Sequence, residues 1–264
     1  MRWYFVVNDK DALERVGKLA EAYWRIPESN FLLHGPIWRK EHWADVTALD
    51  ELKGFSWDET WGSKITRGLI QKQWRDAQFE IDALRAFFLT MAWGFGRDRF
   101  GPWKVGKMFE SLAKQEKSAL YLLRLRDEEK QRPYSAFESL LNRKINHLGP
   151  VYASKLAYAI APDGDRTPVM DMWIERWGDK FFEGNFSVSF RRSLEENIRS
   201  MSCFKEFCHN ALEEIKKRKK TSRPMSENDP GFVEYLIFWD AKYEWRRKWQ
   251  KENNFEPWIW KFES

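Results

Sequence analysis

His147-Leu148-Gly149-Pro150-Val151-Tyr152-Ala153-Ser154-Lys155-Leu156-Ala157-Tyr158, with the aspartate Asp171 that follows, decides how this chain folds. Upstream, residues 135–146 carry helical spacing and open after Pro133 on a serine suited to an N-cap. Downstream, residues 151–161 read as a second helix. Two helices joined by a tight Leu-Gly turn form a hairpin. Gly149 gives the backbone freedom to turn and to approach a ligand closely. The amides of Val151, Tyr152 and Ala153, at the start of the second helix, are expected to lack intrahelical partners, which suits them to a phosphate. Ala153, four residues after Gly149, is small enough to let the helices pack closely. Any helix hairpin shares these features, so the turn alone does not define a function.

The next segment sharpens it. The loop Pro162-Asp163-Gly164-Asp165-Arg166-Thr167-Pro168 leads through Val169-Met170 to Asp171, which stands where an N-cap belongs and is followed by Met172-Trp173-Ile174. Here the chain resembles the helix-hairpin-helix DNA glycosylases, with their Gly/Pro loop and essential aspartate. In detail, residues 148–158, with Trp93-Gly94-Phe95-Gly96 and Phe100-Gly101-Pro102-Trp103, are similar to the prokaryotic oxoguanine-glycosylase-fold proteins, a resemblance that covers about residues 80–215. It implies a mainly α, two-lobed fold with the substrate cleft between the lobes, and it implies that Asp171 is catalytic. The chemistry agrees: breaking an N-glycosidic bond leaves a sugar with oxocarbenium character, and a fixed carboxylate stabilises charge that develops only in the transition state. The competing reading is a plain N-cap worth about 1 kcal/mol.

Members of this family that also cut the backbone carry a Schiff-base lysine just after the second glycine of the hairpin, and this hairpin has one glycine to align. If Gly149 is that second glycine, the place falls to Val151, which forms no imine; if Ala153 stands in for it, Lys155 takes the place. The plain reading of Lys155 is a surface or phosphate-contacting lysine, and water is the expected nucleophile. A base inside a duplex must be flipped out, stacked in a pocket and replaced by a wedge. Trp93, Phe95, Phe100, Trp103, Trp173 and Trp177 are candidate pocket rings, each also a candidate for the core. Arg97 and Arg99 are candidate phosphate contacts. So are Lys217 and Arg218, in the basic run 216–220, which otherwise reads as a solvated helix end.

The rest of the 264-residue chain sets limits. Its composition, 43% hydrophobic and 32% charged, excludes a membrane protein and argues against a disordered one. Its longest apolar stretch, residues 86–95, is interrupted by Thr90 and Gly94 and falls short of the roughly 20 residues of a spanning helix. Residues 1–9 reach charge too soon for a secretory signal, so a cytoplasmic protein is expected. Cys203 and Cys208 make no disulfide framework, and His34, His42, His147 and His209 show no metal spacing, so neither metal nor cofactor is expected. The 45 basic residues exceed the 40 acidic ones, a mild surplus that suits a polyanionic partner.

Residues 3–7 suggest a short N-terminal strand. Helices are expected over 11–25, 72–93, 103–113, 117–127, 193–220 and 231–251, and the stretch between 26 and 71 is rich in loops. The chain divides, on this reading, into an N-terminal segment 1–75, a helical core 76–220 and a C-terminal helix 221–264. The partner expected is double-stranded DNA with a modified base, bound by a monomer. The resemblance admits 8-oxoguanine and also glucosylated hydroxymethylcytosine of phage DNA, the latter ranked level or slightly ahead because broad rings accommodate a bulky base. The alternatives are an 8-oxoguanine glycosylase/lyase and a DNA-binding hairpin without catalysis.

Overall fold

The computed structural model describes residues 9–25, 30–47, 49, 52, 63–96, 98–114, 118–142, 145–182, 188, 191–218 and 225–252. Among these residues there are eleven α-helices: α1 Lys10–Trp24, α2 Lys40–Thr47, α3 Arg67–Asp76, α4 Glu80–Phe95, α5 Gly101–Ala113, α6 Ser118–Gln131, α7 Ser135–Asn142, α8 Pro150–Ile160, α9 Met172–Phe181, α10 Leu194–Arg218 and α11 Pro230–Glu252. The fold is mainly α, as expected. One isolated antiparallel bridge joins Ile37 and Lys64, and the N-terminal strand expected at 3–7 lies outside the described residues. No helix among the described residues is long and apolar enough to cross a membrane.

The chain groups into two compact units that are discontinuous in sequence. A hairpin unit holds Phe31–Pro162 with Ser189–Leu194; an aspartate unit holds Met1–Asn30, Asp163–Val188 and Glu195–Ser264.

In the hairpin unit, α4 is apolar on nearly every side. Ala83, Phe87, Phe88, Leu89, Met91 and Ala92 are all fully buried, as a helix surrounded by others requires; α3, α5, α6 and α8 pack around it. Apolar spacing alone predicts one helix across 72–93, yet the chain breaks it into α3 and α4. The break is built from polar groups. The Asp82 carboxylate accepts from the amides of Gln78 (3.2 Å) and Phe79 (3.0 Å), and Arg126 of α6 donates to the carbonyls of Trp74 and Ala77. Trp74 then donates from Nε1 to Thr90 Oγ1 at 2.8 Å, tying α3 back to α4. Ser135 is likewise not the cap it resembles. It is the first residue of α7, and the buried Glu129 accepts from Tyr134 N, Ser135 Oγ and Ala136 N in its place. The stretch read as loop also holds α2, which buries Trp43 and Val46.

In the aspartate unit, α1, α9 and α11 meet at the buried Asp240. Its Oδ2 accepts from Arg15 Nε at 2.9 Å and from Trp177 Nε1 at 3.0 Å, and Oδ1 pairs with the other arm of Arg15. Phe204 and Phe207 of α10 are fully buried, the latter against Trp177 and Phe182. Cys208, beside them on α10, is a buried free thiol that burial pushes well up from its ordinary range.

Candidate functional site

The hairpin forms with its strain in an unexpected place. Gly149 caps α8 with φ −83° and ψ 174°, an extended conformation open to any residue. The left-handed residue is His147, at φ 64°. Because Pro150 is the first residue of α8, Ala153 is the fourth, and its amide closes the first turn on Gly149 O at 2.9 Å. The expectation of three available amides is thus corrected to those of Val151 and Tyr152, which precede any intrahelical acceptor. Ala153 is fully buried, consistent with close packing of α7 against α8.

Lys155 lies one turn along α8, half-buried. Its Nζ donates to Gly94 O at 3.0 Å and sits 5.6 Å from the ring centres of both Trp93 and Tyr152. The approach to Gly94 is close: a Cβ there would stand 2.9 Å from Lys155 Cδ, so the lysine stem would have to shift. Tyr152 stacks on Phe95 at 4.0 Å, and Trp93 stacks on Tyr158 at 5.9 Å. Trp93, Phe95, Tyr152 and Lys155 therefore form one ring-and-cation cluster. Sequence reading missed Arg67 and Gln71, which extend it through Tyr158. Arg67 of α3, buried, stands 5.1 Å from the Trp93 ring and 5.0 Å from that of Tyr158, and Gln71 donates to the Tyr158 hydroxyl at 2.9 Å. Neither carries a local signal linking it to the hairpin.

Phe100 and Trp103 do not join that cluster. They are 60% and 55% exposed, with Trp103 set edge-on to His147 at 4.8 Å. Arg99 is exposed beside them, and Arg97 lies outside the described residues.

Asp171 belongs to the aspartate unit. It is the N-cap of α9, and its Oδ1 accepts from the amides of Trp173 (2.9 Å) and Ile174 (3.3 Å). Oδ2 makes no hydrogen bond among the described residues. The carboxylate is partly exposed, while the strand of chain leading to it, from Arg166 to Met170, is buried. Trp173 carries Arg176 over its ring at 5.1 Å. Trp177 is fully buried against Asp240 and belongs to the core rather than to a pocket. Lys217 pairs with Glu214, and Arg218 pairs with Glu214 and Glu21 while lying over Gly17, so Arg218 joins α10 to α1 within this unit.

The loop before Asp171 is clamped by a residue that sequence reading passed over. Buried Asp229 accepts from Gly164 N at 2.8 Å through Oδ2 and from Gly231 N at 2.7 Å through Oδ1, and it lies 3.4 Å from Arg166 Nε. Arg166 also pairs with Asp163, and Lys205 holds Asp165 at 2.7 Å. Burial raises the Asp229 carboxyl above the ordinary aspartate range, against the opposing pull of Arg166 and the two amides. Asp229-Pro230 before an apolar helix is a readable cap signal; its reach to a loop 65 residues earlier is not.

Compared with known families, residues 29–238 match the family described as "Putative 8-oxoguanine DNA glycosylase OGG-like protein". No curated protein and no solved structure matches the chain.

Proposed function

The chain belongs to the OGG-like family of 8-oxoguanine DNA glycosylase relatives, and from that premise we propose that it removes an oxidised purine of the 8-oxoguanine type from duplex DNA by hydrolysis, with Asp171 as the catalytic carboxylate. The observation that carries this reading is the state of Asp171. Two backbone amides fix Oδ1 while Oδ2 accepts no hydrogen bond among the described residues, which is what a preorganised anion opposite a developing sugar cation requires. In the reaction the N-glycosidic electron pair leaves with the base, which takes up a proton. Water adds to C1′, and the proton it loses passes by way of the carboxylate to the departing base, so Asp171 ends ionised as it began. The amides of Val151 and Tyr152 would receive a DNA phosphate.

Lys155 supports water as the nucleophile. A carbonyl oxygen at 3.0 Å and two flanking rings are the surroundings of an ammonium, whereas an imine needs an available lone pair. The 8-oxoguanine type is put first because it is the base in the description of the family that residues 29–238 match.

Duplexes containing 8-oxoguanine, glucosylated hydroxymethylcytosine or no modification, treated in parallel and then with alkali, test the proposal. Alkali-labile sites are expected at 8-oxoguanine only, and Asp171→Asn, which caps a helix nearly as well, should fold normally and lose about 100- to 1000-fold in rate. Near-parental excision by a folded Asp171→Asn protein returns Asp171 to a simple cap. Borohydride should trap no adduct; an adduct that disappears in Lys155→Ala makes Lys155 the nucleophile. Cleavage confined to the glucosylated duplex restores the phage base.

A further inference from the structure

Three exposed features stand at or near the hairpin. Phe100 and Trp103 are large rings left 60% and 55% exposed, and His147 is a non-glycine residue at φ 64°. They are connected. Phe100 and Trp103 stand three residues apart at the start of α5, so they share one face. Gly101 between them faces inward: a Cβ there would lie 2.9 Å from Phe95 Cβ and 3.4 Å from the Trp43 ring. Packing α5 through its glycine turns the neighbouring rings outward. The left-handed backbone of His147 in turn sets its imidazole 4.8 Å from Trp103.

We propose that Phe100 and Trp103, with His147 backing Trp103, form the wedge that enters the base stack of duplex DNA in the gap left by an extruded nucleotide. The occupant follows from the chemistry around the rings. Stacked bases are the apolar surface that bare aromatic faces fit. The flanks are suited to phosphates: Arg99 is exposed beside Phe100 and makes no ion pair among the described residues, and the first amides of α8 lie four residues from His147. Lys104, by contrast, is occupied with Asp98 at 3.4 Å. Backbone strain kept at an exposed position is a sign of use, since folding alone would favour glycine there. The inference rests on the reading of this chain as a base-extruding glycosylase, and it assigns the side chains that hold the DNA open.

The test is fluorescence-anisotropy binding to two duplexes of one sequence, intact and carrying a central tetrahydrofuran abasic analogue. A wedge gains contact only in the gapped duplex, whereas phosphate contacts serve both. The parental chain should prefer the abasic duplex. Phe100→Ala and Trp103→Ala should each lose about tenfold of that preference, the worth of one base–ring stack, with intact-duplex binding within about twofold of parental. Both side chains are mostly exposed, so the variants should keep the parental circular dichroism. Trp103→Phe should restore most of the preference, and His147→Gly should lose part of it while melting no lower than the parent. An unchanged preference in both alanine variants overturns the proposal. So does equal weakening on both duplexes, which would make the rings backbone contacts, or a parental chain with no preference at all. Failure to bind either duplex removes the glycosylase reading itself; excision of base by the parental chain, with alanine variants indistinguishable from it, removes the wedge alone.

Discussion

At the scale of the residue, the hairpin distributes its constraints differently from its glycine. Gly149 marks the turn in the sequence, yet its φ of −83° carries no strain, and the left-handed position two residues earlier is filled by His147. An L-residue in that region costs roughly 1–2 kcal/mol. Replacing it with glycine relieves this but loosens the unfolded chain by about 0.4–1 kcal/mol. His147→Gly should therefore stabilise the protein by about 0.5 kcal/mol in urea denaturation, with loss of the ring behind Trp103. A variant less stable than the parent would mean that the imidazole makes contacts that outweigh the strain. The turn was legible because Leu-Gly-Pro breaks a helix; which residue turns left-handed was not, because histidine, though enriched there, still adopts that region only rarely. Asp171 was legible as a cap for the opposite reason, since aspartate before an amphipathic run states its own role.

Elements show the same division. Helix interiors follow from apolar spacing, and α5, α8, α10 and α11 fall within a few residues of where spacing puts them. Boundaries set by distant side chains do not. Arg126 ends α3 and Glu129 starts α7, and neither partnership has a local signature. The loop carrying Asp171 is the functional instance: its course depends on Asp229, which has two carboxylate oxygens for the amides of Gly164 and Gly231. Asparagine offers one acceptor, so Asp229→Asn should leave one amide unsatisfied and cost about 1–3 kcal/mol. It should also change the pH dependence. Burial raises Asp229 above the ordinary 3.8, with Asp165 adding to the rise and Arg166 and the amides opposing it. The folded state then holds the proton more tightly than the unfolded one. Its contribution to stability is full below 3.8 and is lost as pH climbs through the folded value. Urea midpoints between about pH 4 and 7 should show this decline in the parent and a flatter profile in Asp229→Asn. Identical slopes would show that Asp229 does not titrate in that window. If the clamp positions Asp171, the variant's turnover should fall more than its DNA affinity.

At the scale of the whole molecule, the unit that bears Asp171 is assembled from both parts of the chain that flank the hairpin unit. Stretches near the N-terminus and near the C-terminus fall in one unit with the segment that holds α9, and Asp240 joins them: α11 carries it, α1 reaches it through Arg15, and α9, the helix that Asp171 caps, reaches it through Trp177. No reading of local sequence finds this three-way joint, because its partners lie 225 and 63 residues apart. Asp240 has a side chain only 2% exposed, while that of Arg15 is 40% exposed. Removing one partner of a fully buried pair costs about 3–5 kcal/mol; with Arg15 part-solvated, Arg15→Met should cost about 1–3 kcal/mol. Most of that cost is the charge left on Asp240 without its hydrogen-bonded guanidinium, with Trp177 and the more distant Lys180 to offset it, so Arg15→Met/Asp240→Asn should be less destabilised than the sum of the single variants. Excision by Arg15→Met should match the parent at low temperature and fail at a lower temperature on heating, because the joint supports the unit and takes no part in the chemistry. Strict additivity in the double-mutant cycle would reduce the pair to a surface contact, and a rate deficit already present in the cold would show that Arg15 acts on the geometry of Asp171 through Trp177 and α9.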